Sequence, residues 1–216
     1  MAIVLMASVA ACGGNPTDKQ AANNTALDNI ATADGTSIDT ANPFALGEQQ
    51  MNENMKSAVG TDVADNWVRK MIAHHQGAVD MSKVVLAQSP SDHVAKMAQM
   101  TVAKQTKEIE VLRKLEKNGS PDHTGADLYS AAMTAMQQKM RAASGADLSE
   151  TYLRKMLEHH RGAIARSEVA LHHNVSGAIK DQVKETRDEQ KKEVQMIQGM
   201  LHRMPTAHPM ANSPTS

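Results

Sequence analysis

The chain of 216 residues has little cysteine, few aromatic residues and almost no net charge. Its single cysteine, Cys12, excludes an internal disulfide and a cysteine-based zinc finger. Four aromatic residues are too few for a typical β-sandwich or barrel, whose strands favour aromatic and β-branched side chains. A formal net charge of -1 excludes nucleic-acid binding through a broadly basic surface. What the chain does have is 16 methionines and 10 histidines.

The N-terminal residues have the pattern of a bacterial lipoprotein signal. Residues 2–11 are all apolar or small, and a run of this length is too short to span a bilayer as a helix. The end of this run together with Cys12 resembles the lipobox, whose cysteine is acylated and becomes the mature N-terminus. We expect residues 1–12 to be signal peptide and lipobox, with Cys12 as the lipid anchor and residues 13–45 as a flexible tether. The alternative is a buried apolar segment with an ordinary thiol.

The rest of the chain contains two copies of one unit. Residues 67–79 align with residues 152–164 without a gap, and both segments contain His-His-x-Gly-Ala. The same register continues well beyond these segments, which indicates a duplication. We therefore expect helical repeat one at 46–120 and helical repeat two at 126–201.

Each repeat is predicted to form three helices, and the predicted fold class is all-α. The predicted helices carry apolar residues at helical spacing and cover about 46–58, 62–88, 92–117, 131–143, 147–173 and 176–201. The two longer helices of each repeat form an antiparallel pair. Two such pairs close into a four-helix bundle.

Polar side chains interrupt the core-facing stripes of these helices, and each needs a buried partner. They are the two histidine pairs, and a glutamine and a glutamate spaced i, i+3 on each partner helix: His74, His75, His159, His160, Gln105, Glu108, Gln190 and Glu193. In one interpretation Glu108 accepts the His74 N–H and Glu193 accepts the His159 N–H, which would fix the register of the bundle. In the other, the same carboxylates orient histidines that bind a metal.

The residue types around the histidines favour copper, above all Cu(I). Imidazole and thioether ligands together suit copper, whereas zinc and iron prefer thiolate, imidazole or carboxylate. Met71 and His75 lie one turn apart and can bind one ion, with Met81 in support. The predicted ligands share this chemistry and are Met71, His74, His75, Met81, Met156, His159 and His160. In repeat two, Arg166 occupies the position equivalent to Met81, so we expect weaker binding there.

The C-terminal residues 202–216 alternate methionine and histidine among prolines and are predicted to be irregular. A tail of this composition can capture copper without a folded site. Its candidate ligands are His202, Met204, His208 and Met210.

The double pattern Met-x-x-His-His-x-Gly-Ala followed by Gln-x-x-Glu resembles the bacterial secreted family named "domain of unknown function 305" over about 41–201. The resemblance implies a ferritin-like helical bundle built from two tandem copies of the repeated unit. It also implies an association with copper binding and copper tolerance outside the cytoplasm.

These observations predict a copper-binding protein of the cell envelope, attached to a lipid bilayer through acylated Cys12. It would lie on the periplasmic side of the outer membrane or at the cell surface. There it would sequester Cu(I) or carry it to a copper transporter or chaperone. A metal-free structural or adaptor bundle stays open as an alternative, as does a ferritin-like di-metal oxidase. The oxidase requires Glu-x-x-His on paired helices, and the sequence contains no Glu-x-x-His, so we do not expect an enzyme.

Overall fold

The computed structural model describes residues 42–204, and its helices belong to a compact unit that begins at Phe44. In chain order, helices α1 to α7 are Ala45–Ser57, Val63–Leu86, Asp92–Arg113, His123–Asp127, Ser130–Ala142, Leu148–His172 and Gly177–Arg203. Within the described residues there is no strand, so the all-α prediction is confirmed. No helix in this part of the chain combines the length and apolar character needed to cross a membrane.

The observed helices differ from the predicted ones in three places. The short helix α4 was not predicted, because five residues are too few to show an apolar period. Helix α3 ends at Arg113 and not near residue 117. Helix α7 continues to Arg203, so the prediction that the chain becomes irregular from residue 202 is wrong at its first residues.

The first of the two long helices in each repeat, α2 or α6, starts at an aspartate cap. Asp62 accepts a hydrogen bond from the backbone N–H of Asp65 at 2.8 Å, and Asp147 accepts one from Glu150 at the same distance. Gly60 lies just before the first cap, where a Cβ would be 2.4 Å from the backbone carbon of Asp65. Only glycine therefore allows the chain to approach the helix start this closely.

Helices α2 and α3 form an antiparallel hairpin, and α6 and α7 form the equivalent hairpin of repeat two. Arg69 near the start of α2 pairs with Glu116 after α3, whereas His75 farther along α2 meets Glu108 earlier in α3. Helix α1 packs on α2, and α5 packs on α6. The methionines of these two shorter helices fill the core and are Met51, Met55, Met133, Met136 and Met140.

Helices α2 and α6 pack against each other and join the repeats. Trp67 Nε1 donates to Ser167 Oγ at 3.3 Å, and the hydroxyls of Ser82 and Tyr152 are hydrogen-bonded at 2.7 Å. These two bonds join equivalent positions, because the alignment of the two repeats takes Trp67 to Tyr152 and Ser82 to Ser167. The two repeats are therefore related by an approximate two-fold axis that passes between α2 and α6.

Candidate metal centre

Four histidines meet where α2 packs against α6. His74 and His75 come from α2, His159 and His160 come from α6, and all four are buried. The rings of His74 and His159 are stacked, with centroids 3.5 Å apart and planes inclined by 18°. The ring of His75 lies 5.8 Å from that of His74, and the ring of His160 lies 5.6 Å from that of His159. The tertiary structure thus brings the histidine pairs of both repeats into one cluster.

The central pair is joined by reciprocal hydrogen bonds. Nε2 of His74 is 3.1 Å from the carbonyl oxygen of His159, and Nε2 of His159 is 3.0 Å from the carbonyl oxygen of His74. A carbonyl only accepts, so Nε2 donates and carries the proton in both rings. Each Nδ1 therefore has a lone pair, and neither Nδ1 has a hydrogen-bond partner.

Both central rings are held in the neutral form. Burial, followed by the charge of Arg166, lowers the pKa of His74 well below its usual value. Burial, followed by the proximity of His160, does the same to the pKa of His159. Protonation of either ring would place a charge in the core without a counter-ion, which the low dielectric strongly disfavours.

The second histidine of each pair faces the partner helix of its own repeat. His75 Nε2 is 3.1 Å from Glu108 Oε2, although the two atoms are not aligned for a hydrogen bond. His160 Nδ1 donates to Gln190 Oε1 and lies 3.5 Å from Glu193 Oε2. The outer histidines are therefore the ones that meet the Gln-x-x-Glu motifs.

The predicted pairing of Glu108 with His74, and of Glu193 with His159, is wrong by one residue. Neighbouring residues on an α-helix project about 100° apart, so two adjacent histidines cannot face the same partner. The first histidine of each repeat points across the repeat interface, and the second points into its own repeat. Each histidine of the motif thus has a separate environment.

The glycine of the His-His-x-Gly motif accommodates a methionine from the short helix. A Cβ on Gly77 would lie 2.3 Å from Met51 Sδ, and a Cβ on Gly162 would lie 2.4 Å from Met136 Sδ. The two contacts are equivalent in the two repeats. The motif therefore specifies where α1 and α5 lie against the long helices, in addition to supplying imidazoles.

Arg166 is fully buried at the position that Met81 occupies in repeat one. Its Nη1 is 3.4 Å from Met136 Sδ, while Nε and Nη2 have no hydrogen-bond partner. Burial lowers the pKa of Arg166 to about 9. In addition to burial, its charge lowers the pKa of both His74 and His159. The positive charge expected beside the site of repeat two thus also affects repeat one.

Lys104 of α3 connects the carboxylates of the two repeats. Its Nζ is 2.7 Å from Glu189, 2.8 Å from Glu193 and 3.8 Å from Glu108. Burial alone would lower the pKa of Lys104, but the hydrogen bonds to Glu189 and Glu193 outweigh burial and raise it. Sequence reasoning missed this lysine. The signal was available, because Lys104 and Glu189 are equivalent positions of opposite charge.

Buried polar atoms without hydrogen-bond partners concentrate in this cluster, among the residues that the structure describes. They include Nδ1 of His74, His75 and His159, Nε2 of His75 and Gln190, both amide atoms of Gln105, and Oε2 of Glu108 and Glu193. An unpaired buried polar group costs about 1–3 kcal/mol, so a cluster of them calls for an explanation, such as a bound ion. Met71 and Met156 are buried one turn before His75 and His160. Imidazole nitrogens beside thioethers form a donor set that suits Cu(I).

Two of the four predicted tail ligands, His202 and Met204, lie in the described residues. His202 in the last turn of α7 is exposed, and Met204, which follows the helix, is partly buried against the core. The other predicted tail ligands, His208 and Met210, lie outside the described residues, as does Cys12. Considering only His, Cys, Asp and Glu in residues 42–204, no group of three or more is placed to hold a metal ion.

Comparison with known proteins supports the duplication and the fold. The family model described as "Domain of unknown function (DUF305)" matches twice, over residues 15–116 and 114–201. A crystal structure of a DUF305 protein from Streptomyces coelicolor, named as a candidate secreted protein, is similar with a TM-score of 0.51. The two chains are 23% identical, and the match covers 67% of this chain and 98% of the other. No curated protein matches the chain.

Proposed function

This chain belongs to the DUF305 family, and from its own residues we propose that it is an extracytoplasmic Cu(I)-binding protein. It sequesters or carries the ion through the outer histidine of each repeat. His75 and His160 are the imidazole ligands, with Met71 and Met156 one turn earlier as thioether ligands. Glu108, Gln190 and Glu193 orient the rings.

The observation that carries this proposal is the cluster of unpaired atoms around the outer histidines. In repeat one, His75, Gln105 and Glu108 all leave buried polar atoms without partners. A ligand that accepted lone pairs from imidazole and thioether would relieve part of this cost. Thioethers do not bind protons in the physiological range, and soft neutral ligands favour Cu(I) over Zn(II).

The two histidines of each motif have separate roles in this proposal. The central pair, His74 and His159, uses Nε2 to join the repeats. The outer pair has its polar partners, Glu108 for His75 and Gln190 and Glu193 for His160, within its own repeat, and takes no part in joining the repeats through Nε2. Met81 is part of the buried core of repeat one. At the equivalent position of repeat two, Arg166 introduces a positive charge that repels cations.

Location is part of the same proposal. A similar chain is named as a candidate secreted protein, and Cys12 follows an apolar run that resembles a lipobox. Acylation at Cys12 would attach the protein to the cell envelope and leave the helical unit free to meet a copper transporter or chaperone. In the sequence after Leu201, His202, Met204, His208 and Met210 are further candidate imidazole and thioether donors.

The test is a Cu(I) titration with a chromophoric chelator as competitor. The variant His75→Leu/His160→Leu should lose tight binding. The matched variant His74→Leu/His159→Leu should keep the stoichiometry but lose stability, because it removes the bonds between the repeats. If the first variant binds as the unmodified protein does, the histidines are not ligands.

A metal-free structural bundle is the second candidate, and the reciprocal hydrogen bonds of His74 and His159 favour it. These bonds, together with those of Trp67 and Tyr152, join the two repeats. They are enough to explain why the first position of each motif is a histidine. They give no role to the second histidine. A protein that binds no Cu(I) in the titration would favour this candidate.

A further inference from the structure

A cavity of about 440 Å³ opens between α3 and α7 above the histidine cluster. Met97 and Met100 of α3 and Met196 of α7 line its walls, and His160 and Glu193 line its inner end. We call this cavity the methionine groove. Met100 is 53% exposed and Met196 is 41% exposed, so two of the three methionines are open to solvent. Core filling, the usual reason for methionine in this protein, does not explain exposed methionines.

The imidazole at the inner end of the groove has a ring nitrogen available for a ligand. Gln190 Oε1 accepts the hydrogen bond from His160 Nδ1, so Nδ1 carries the proton. Nε2 therefore has the lone pair. Nε2 makes no hydrogen bond to another described residue. A hydrogen bond on one ring nitrogen that fixes the other as a donor to metal is the usual arrangement at histidine ligands.

The thioethers occur on only one of the two sides related by the approximate two-fold axis. The equivalent positions on the other side are Gln182, Glu185 and Val111. The residues at the inner end are repeated, because Glu193 and His160 correspond to Glu108 and His75. The duplication therefore kept the imidazole and carboxylate on both sides, while three methionines are concentrated on one side.

The charges at the groove are compatible with a cation. Lys104 and Lys107 also line the groove. The positive charge of Lys104 is offset by ion pairs with Glu189 and Glu193. The carboxylate of Glu193 lies 3.5 Å from His160 Nδ1. A monovalent cation on the neutral donors Met and His would thus have a carboxylate close by.

We propose that the methionine groove is the site that captures Cu(I) from solution and passes it to His160 Nε2. The proposal rests on the proposed function and assigns its entry route. The ion exchanges thioether ligands for imidazole one at a time, its oxidation state does not change, and the proton stays on Nδ1. Entry on this side alone makes the two repeats unequal, with repeat two loaded first.

The experiment uses the full chain labelled with ¹³C-methyl methionine. The added probe is Ag(I), a redox-inert ion with the ligand preference of Cu(I). We expect the first fraction of an equivalent to shift the methyl resonances of Met97, Met100 and Met196 before those of the methionines outside the groove. The variant Met97→Leu/Met100→Leu/Met196→Leu should slow Cu(I) uptake from a chelator by at least about tenfold, since loss of groups that support a metal site typically costs that much. Leucine conserves the side-chain volume, so the variant should fold.

The matched control is Val111→Leu/Gln182→Leu/Glu185→Leu on the opposite side, which should load at the rate of the unmodified protein. Equal loading by the groove variant and the unmodified protein would overturn the groove proposal while leaving the proposed function intact. Equal slowing in the control would also overturn it. If the unmodified chain binds neither Ag(I) nor Cu(I), the proposed function itself fails. If the triple variant unfolds, the double variant Met100→Leu/Met196→Leu takes its place, because it changes only exposed side chains. Its rate of Cu(I) uptake is compared with that of the unmodified protein in the same way.

Discussion

His74 and His159 donate their Nε2–H groups to each other's backbone carbonyls, at 3.1 and 3.0 Å, with their rings stacked 3.5 Å apart. The two residues occupy the same position in the two repeats. The approximate two-fold axis of the molecule therefore passes between two imidazoles that have to stay neutral. This relationship links the stability of the interface between the repeats to pH.

We predict that the metal-free protein loses stability as the pH falls below about 6.5, the ordinary pKa of histidine. The folded state holds the pKa values of His74 and His159 well below that value, so the unfolded chain binds more protons. Stability is complete above about pH 6.5 and falls by about 1.4 kcal/mol per pH unit for each histidine, until the folded-state pKa is reached. Urea unfolding at pH 7, 6 and 5 measures this slope.

The control for this prediction is His74→Leu/His159→Leu. It removes both titrating groups, so its stability should fall less steeply over the same range. The slope of the variant should be smaller than that of the unmodified protein by about 2.7 kcal/mol per pH unit. The absolute stability of the variant is not the readout, because the substitution also removes two hydrogen bonds. An unchanged slope would show that other groups cause the acid sensitivity.

A second prediction concerns the glycine of the motif. Gly77→Ala should destabilise the protein by about 1–3 kcal/mol, because the new Cβ would lie 2.3 Å from Met51 Sδ in a buried site. This loss occurs despite the better helix propensity of alanine, which favours the substitution by about 1 kcal/mol. The shift in the urea midpoint measures the effect.

Two variants make this prediction sharper. Gly47→Ala lies in helix α1 with nothing within 4 Å of the new Cβ, and it should be neutral or stabilising. Combining Gly77→Ala with Met51→Ala should cost less than the sum of the single changes, since they relieve one another. Additive costs would mean that the contact between Gly77 and Met51 is not the cause.

A third prediction is that Arg166→Met raises stability by about 1–4 kcal/mol, as replacement of buried charges by apolar groups of similar size can do. The guanidinium is fully buried with two nitrogens unpartnered, and methionine already occupies the equivalent position, Met81. The reverse change, Met81→Arg, should destabilise. Chemical denaturation of both variants measures the difference. A loss of stability in Arg166→Met would show that the guanidinium binds a group that offsets its burial.

A fourth prediction concerns anchoring. Mass spectrometry of protein from the membrane fraction should find a diacyl- or triacylglyceryl group on Cys12 as the N-terminal residue, with residues 1–11 removed. Cys12→Ser should move the protein from the membrane fraction to the soluble fraction. A mature chain that still begins with Met1 would contradict the prediction.

The features that the sequence predicted are local or repeated along the chain. The duplication follows from the gapless alignment of 67–79 with 152–164, and the long helices follow from apolar periodicity, because both patterns belong to single segments. The burial of the polar residues on the core-facing stripes also follows from this period. Helix α4 escaped prediction because a five-residue helix contains little more than one turn.

The arrangement of the site was decided by contacts between segments far apart in the chain. Periodicity places His74 and His75 near a core but leaves open which neighbour each one faces. The rotation of about 100° between them sends one to His159 and the other to Glu108. The methionine groove needs Met100 and Met196 on helices of different repeats, which only their packing brings together. Helical period is set by backbone geometry within one segment, whereas the choice of partner is set by the fit of whole helix faces, and that exists only in the folded chain.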